Sequence, residues 1–158
     1  MQLANELAAH QHVVYIAGEE ALYSPTLLDK QRRTLTKANA ERCHFINRLP
    51  KSTDEWQGVL QIGHPLRPAG SKVVFYDSVT KLGITPFYVD AVAHDFQLPD
   101  FAKRRSHLFI THAHKDGKQY RGDGSWGHEV DIIIRVEKGI ATTEKNRFGE
   151  VGRTLTVF

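Results

Sequence analysis

The chain contains a single cysteine, Cys43, and no apolar run that approaches the roughly 18 residues from which a transmembrane helix is predicted. One cysteine excludes an internal disulfide framework and a four-cysteine zinc site. The stretch 1–11 has an acid and no Lys or Arg, whereas a secretory signal peptide begins with a basic region. We therefore expect a cytoplasmic protein without a membrane partner.

The chain also has little excess of one sign of charge, because its net charge over 158 residues is only +3. This balance is too small to indicate a polyanionic partner by itself. The segment 103–121 is an exception, since it holds six Lys or Arg residues against one acid, Asp116. Hydrophobic residues at 41% and charged residues at 25% are typical of one globular domain, which we place at 1–158.

Apolar runs of strand length alternate with segments of helical propensity over the first two thirds of the chain. Helices are predicted at 2–9, 26–41, 52–62 and 89–104, and strands at 12–17, 42–47, 72–76 and 107–111. This alternation predicts an α/β fold with a mostly parallel sheet flanked by helices. A long polar loop, 112–129, precedes three strands at 130–136, 140–144 and 153–158. These strands are expected to form an antiparallel or mixed extension at one edge of the sheet.

Acidic side chains follow two of the predicted buried strands directly. Asp77 and Ser78 end the strand at 72–76, and Glu19 and Glu20 come after Gly18 at the end of 12–17. The carboxyl ends of parallel strands lie at one edge, where open α/β folds bind ligands. An acid there can hold magnesium or activate a water molecule. The alternative is that these acids only end strands and lie in solvent.

Cations and aromatic residues recur in the last third of the chain. Lys145 and Arg147 lie two apart on a predicted strand, so they share one side and suit a phosphate group, although a solvated hairpin end is the alternative. The loop 112–129 combines cations with aromatic residues that can contact a nucleic-acid backbone and stack on bases, namely Lys115, Lys118, Tyr120, Arg121 and Trp126. His112 and His114 also share a side, but without a nearby cysteine we do not expect a metal site.

Taken in order, these motifs resemble the RecA-fold ATPase core, and most closely its bacterial RadA/Sms branch. Residues 145–149 read KNRFG, letter for letter as in that branch. Residues 112–117, HAHKDG, resemble its GHVTKEG segment, and 128–131, HEVD, resemble its HMVD. Residues 15–20, YIAGEE, resemble YVSGEE, and Asp77-Ser78 matches the Walker B pair. The resemblance runs from about residue 2 to 158.

The resemblance implies a role for each matching residue. Asp77 would be the Walker B acid that binds magnesium, beside Ser78, and Glu19 would be the catalytic glutamate, with Glu20 as the alternative. Lys145 and Arg147 would reach a neighbouring subunit's nucleotide, so we expect them to be solvent-accessible and to point away from Asp77 of their own chain. The loop after His112 would bind DNA. The implied cofactors are ATP and magnesium, and the implied partners are single-stranded or branched DNA and other RecA-fold subunits, as in the family's branch migration during recombinational repair.

The sequence departs from this family at the phosphate site, because GxxxxGK[ST] occurs nowhere in it. The resemblance places residue 1 inside the helix that follows the P-loop, so we expect the first strand and the P-loop to be missing. The chain would then self-associate through an exposed sheet edge, or strands 2 and 3 would close up against each other. Three functions stay open. The chain is a truncated or degenerate ATPase domain without independent hydrolysis, part of a split active DNA-dependent ATPase, or an interaction module for a genuine RecA-fold partner.

Overall fold

The computed structural model describes residues 1–51, 55, 71–85, 88, 106–112 and 125–157. Four parallel strands form a sheet in the order β2-β1-β3-β4, with β1 at His12–Ala17, β2 at Cys43–Ile46, β3 at Ser71–Asp77 and β4 at Ser106–Ile110. In β1 all residues after His12 are buried. The apolar runs of the sequence therefore form central strands covered on both faces, as the predicted parallel sheet requires.

One face of the sheet packs against three helices. Helix α1 spans Gln2–Ala8 and turns Ala4 and Ala8 onto the sheet, where neither is exposed. Helix α2, Pro25–Thr34, begins at Ser24, whose hydroxyl accepts a hydrogen bond from the Leu27 amide at 3.2 Å. Helix α3, Lys37–Ala40, is capped in the same way by Thr36. The predicted helical segment 26–41 is thus two helices, because Leu35 is extended between them.

The opposite face of the sheet has a core of its own. Val14, Ile16, Val74 and Tyr76 are fully buried there, because successive residues of a strand point to opposite faces. Two single-turn helices contribute to this core: α4, Val79–Leu82, and α5, Trp126–Glu129. Burying one such aliphatic side chain is worth about 1.5–3 kcal/mol, so the β1–β3 pair is a major source of stability.

The last three strands pair with one another. Strands β5, Ile132–Glu137, β6, Ile140–Asn146, and β7, Thr154–Thr156, are antiparallel, as predicted, and among the described strands they form a separate sheet. Lys138 and Gly139, both with positive φ, make the two-residue turn between β5 and β6. Among the described strands, β5, β6 and β7 thus bond to one another and not to the edge of the parallel sheet.

Other sequence predictions differ from the structure at their boundaries or lie outside it. The polar loop predicted at 112–129 ends in the helical turn α5, and the strand predicted from residue 130 begins at Ile132. The helices predicted at 52–62 and 89–104 lie almost entirely outside the described residues. No helix within the described ranges is long and apolar enough to cross a membrane.

Gly18 sits where only a hydrogen atom fits. A Cβ at this position would lie 2.6 Å from Cγ and 2.7 Å from Cδ2 of Leu82. We expect Gly18→Ala to lower the free energy of unfolding by about 1–3 kcal/mol, the usual cost of overpacking. Leu82→Ala removes the contact, so the double variant should lose less than the sum of the single changes. Urea denaturation followed by circular dichroism measures all three.

The matched control for Gly18→Ala is Gly127→Ala in α5. A Cβ at Gly127 meets no atom within 4 Å, and alanine favours the helix by roughly 0.5–1 kcal/mol. Equal unfolding free energies for the two single variants would show that Gly18 is not sterically required.

Candidate functional site at the carboxyl edge of the parallel sheet

The ends of β1 and β3 meet at one edge of the sheet. Ala17 pairs with Asp77 in register, and the amide of Gly18 donates a hydrogen bond to the Asp77 carbonyl at 2.5 Å. This contact places the residues that follow each strand side by side. Glu19 and Asp77, which are 58 positions apart in sequence, therefore lie on the same rim, as expected for parallel strands.

Glu19 is held by two hydrogen bonds to one of its oxygens. The buried hydroxyl of Ser78 donates to Glu19 Oε1 at 2.8 Å, and His112 Nε2 lies 2.9 Å from the same atom. The hydrogen bond from Ser78, followed by that from His112, lowers the pKa of the Glu19 carboxyl below its ordinary value. The carboxylate is consequently ionised at neutral pH and has a fixed orientation.

Asp77 is held by Tyr15, a residue for which the sequence predicted no role. The phenol of Tyr15 donates a hydrogen bond to Asp77 Oδ2. The Tyr15 ring is buried between Phe45 and Phe75, with ring centroids 5.4 and 5.5 Å away. Burial first, and then the hydrogen bond to Asp77, raise the pKa of Tyr15 well above its ordinary value. A single tyrosine two residues before the end of an otherwise aliphatic strand was the available signal.

Glu20 faces a different partner. Its Oε1 lies 2.5 Å from the Lys30 ammonium of α2, and this ion pair raises the pKa of Lys30. Within the described ranges, the partners of the Glu19 carboxylate are a hydroxyl and a histidine ring in place of a lysine. The two glutamates that the sequence left open thus differ in their partners, because Glu20 is paired with a lysine and Glu19 is not.

Lys145 and Arg147 lie away from this edge. Their described hydrogen bonds go to backbone carbonyls around α5 and, for Arg147, to Asp131 at 3.1 Å. In the described part of the chain, neither cation bonds to Asp77 or Glu19, in line with the expectation from the sequence. The acid that Arg147 does contact is Asp131, and about half of the Arg147 side chain is exposed.

The residues predicted to bind DNA are mostly outside the described ranges. Lys115, Lys118, Tyr120 and Arg121 belong to that group. Trp126 is described, and it is only 7% exposed, with its ring centroid 5.5 Å from that of Phe109. In this conformation the indole belongs to the core and is not available to stack on a base.

Two histidines from the last third of the chain, His107 and His112, bond to side chains of other strands or of the acidic edge. His107 Nδ1 lies 2.9 Å from the Tyr76 hydroxyl, and His112 contacts Glu19. Within the part of the chain that the structure describes, no group of three or more His, Cys, Asp or Glu side chains is placed to hold a metal ion.

The edge suits magnesium better than it suits a triphosphate. Two carboxylates and a hydroxyl, from Asp77, Glu19 and Ser78, are the hard oxygen donors that magnesium prefers, usually with several waters retained. For the phosphates, the nearby Lys30 is already paired with Glu20. The sequence also lacks the glycine-rich loop and lysine that cradle a triphosphate. The residues present thus fit the metal half of a nucleotide site.

The element order and sheet define a RecA-like α/β fold. A solved structure described as the RadB recombinase matches 96% of this chain and 80% of its own, with a TM-score of 0.52 and 14% sequence identity. At that identity the similarity defines the fold and not the branch of the family. No family model matches the chain, and no curated protein matches its sequence.

Replacing Tyr15 should change both the stability and its pH dependence. Tyr15→Phe keeps the stacked ring and removes the donor to Asp77, which should cost about 1–3 kcal/mol at pH 7. Because the folded-state pKa of Tyr15 is raised, its contribution is present below pH 10 and is lost as the pH rises further. The variant should therefore show a shallower loss of stability as the pH rises above about 10. Urea titrations across this range measure the effect.

Tyr23→Phe provides the matched control, because Tyr23 is exposed. It should leave both the stability and the alkaline slope unchanged. If Tyr15→Phe behaves like Tyr23→Phe, the hydrogen bond to Asp77 does not contribute to folding.

Proposed function

We propose that this chain is a RecA-like domain of the recombination and repair class that supplies the acidic edge of a nucleotide–magnesium site and does not hydrolyse ATP on its own. One observation carries the proposal. Asp77 and Glu19 emerge from adjacent parallel strands at the carboxyl edge, and each is oriented by a neighbouring hydroxyl. Ligands of open α/β sheets bind at this position.

Each residue at the edge has a distinct part in this proposal. Asp77 would hold magnesium directly or through a water molecule, with Tyr15 fixing one of its oxygens. Magnesium, when bound, would neutralise charge on the phosphates. Glu19 would position a water molecule for attack, and Ser78 would keep its carboxylate in place.

The absence of independent hydrolysis follows from what the sequence lacks. Phosphoryl transfer depends almost entirely on positioning and electrostatic stabilisation of the phosphates. The chain contains no GxxxxGK[ST], and Lys30 is engaged by Glu20. We propose that the missing phosphate-binding groups come from a RecA-fold subunit.

An interaction module remains the second candidate, and an exposed apolar row favours it. Ile132, Ile134 and Val136 alternate along β5 and are 47–58% exposed, and Leu155 of β7 is also exposed. Side chains spaced by two share one face of a strand. Exposed apolar patches of this kind often mark protein contacts. Under this reading the domain binds a RecA-fold partner and contacts neither ATP nor DNA.

Nucleotide binding tests the proposal directly. We expect the chain to bind ATP–magnesium with a Kd weaker than about 1 mM, a standard free energy of only about −4 kcal/mol. With Mn²⁺ as a paramagnetic probe, Asp77→Asn should weaken the residual metal–ATP binding about fivefold, because it removes one charged ligand worth about 1 kcal/mol. Calorimetry and proton relaxation measure the two quantities.

Asp29→Asn is the control for Asp77→Asn, since Asp29 lies on α2 and is paired with Arg33. It should leave Mn²⁺–ATP binding unchanged. Micromolar ATP affinity, or turnover above background, would contradict the absence of independent activity. Equal metal binding by both variants would remove Asp77 from the site.

DNA binding separates the first candidate from the second. Contacts from Lys115, Lys118 and Arg121 to three phosphates should give a salt slope of roughly −2 for single-stranded DNA, at about −0.7 per phosphate. The triple alanine variant should bind more weakly and lose most of this slope. Fluorescence anisotropy with a labelled oligonucleotide at two salt concentrations provides the measurement.

A charge-matched triple variant, Arg32→Ala/Lys37→Ala/Lys51→Ala, removes three exposed cations from the first third of the chain, outside the predicted DNA-binding segment. It should retain most of the affinity and the slope. If both triple variants bind like the wild type, the segment 113–124 is not the DNA site, and the interaction-module reading is favoured.

A further inference from the structure

The short helix α5 ends in backbone carbonyls that its own turn cannot satisfy. A helix leaves its last carbonyls without intrahelical donors, and α5 has only four residues. The ammonium of Lys145 lies 2.6 Å from the Gly127 carbonyl, 2.6 Å from that of Val130 and 3.4 Å from that of His128. A cation at the end of a helix also interacts favourably with the helix dipole.

Arg147 reinforces the same contact. Its Nη2 donates to the His128 carbonyl at 2.7 Å, and its Nη1 lies 3.1 Å from Asp131 Oδ1. Its backbone amide also donates to the Asp131 carbonyl at 3.0 Å. Lys145 and Arg147, which we call the capping pair, thus bind the chain on both sides of Val130.

The other end of α5 packs against the parallel sheet. Trp126 packs with Phe109 of β4 and lies in the core cluster that contains Tyr76 of β3, whose ring is stacked on Phe109 with centroids 4.6 Å apart. Lys145 lies on β6 of the second sheet. Helix α5 therefore connects the two sheets, through an apolar contact at one end and a polar one at the other.

We propose that Lys145 and Arg147 are positioning residues that act within their own chain. By capping α5 they hold Trp126 in the core of the parallel sheet and fix the point at which the chain enters β5. The carbonyl oxygens around the two cations repel a phosphate group, so the pair binds backbone and not an anion in this arrangement. This inference does not depend on the proposed nucleotide function.

Trp126 reports on the capping pair once the other tryptophan is removed by Trp56→Phe. In that background, at low micromolar concentration, Lys145→Met should shift Trp126 emission to longer wavelength and raise its acrylamide quenching constant about twofold, as expected for local opening. Arg147→Met should have a smaller effect, because half of its side chain is already exposed. Lys145→Arg, which keeps donors at the carbonyls, should restore most of the wild-type signal.

Arg153→Met is the control, since Arg153 is an exposed cation between β6 and β7 whose guanidinium lies 3.7 Å from the Glu150 carboxylate. It should leave emission and quenching unchanged. If Lys145→Met matches this control, the capping pair does not position Trp126. If the change occurs only at concentrations where the chain self-associates, the cations act between subunits and the inference is wrong.

Hydrogen exchange separates local positioning from general loss of folding. In Lys145→Met the amides of His128 and Val130, which bond within the α5 turn, should lose protection, while those of β1 and β3 keep it. Equal loss of protection in α5, β1 and β3 would show that Lys145 supports the fold as a whole and would overturn the inference.

Discussion

The parallel pairing of β1 with β3 is the constraint on which the described structure depends. The two strands run in register until Ala17 meets Asp77, and both are buried on both faces. Their ends are drawn so close that Gly18 contacts the Asp77 carbonyl and leaves no space for a side chain against Leu82. The core of the sheet and the geometry of its acidic edge are therefore set by the same pairing.

The acids at this edge differ in what holds them. Glu20 is neutralised by Lys30, whereas Asp77 accepts its hydrogen bond from the phenol of Tyr15 and Glu19 accepts one from Ser78. A hydroxyl fixes the orientation of a carboxylate without adding a positive charge. Carboxylate and hydroxyl oxygens are the hard ligands that magnesium prefers, and the proposed magnesium role of this edge rests on Asp77 and Glu19 and not on the Glu20–Lys30 pair.

In the structure, the cations of the KNRFG segment bind groups of their own chain. Its two cations bind the carbonyls around α5, and α5 in turn carries Trp126 into the core of the other sheet. A motif that suggests contacts between subunits is thus engaged within one chain. The exposed apolar row of β5 is left as the part of the second sheet best suited to a partner.

Local pattern by itself determined the central strands and the common edge. The run His12–Ala17 predicted β1 at its observed bounds, and the acids at the ends of two apolar runs predicted that Glu19 and Asp77 would lie on the same rim, because parallel strands end together. The KNRFG and GEE segments pointed to the RecA-like fold that the sheet order shows. These inferences needed only hydrophobic periodicity and the order of residues.

Only the tertiary structure decided which partner each polar side chain binds. Tyr15 and Asp77 are 62 residues apart, and Lys145 and Gly127 are 18 apart, so neither contact follows from local sequence. Trp126 looked like a loop residue among glycines, but its burial depends on where β4 places Phe109. The separation of the second sheet was likewise decided by tertiary structure, since the turn at Lys138 and Gly139 fixes only the pairing of β5 with β6.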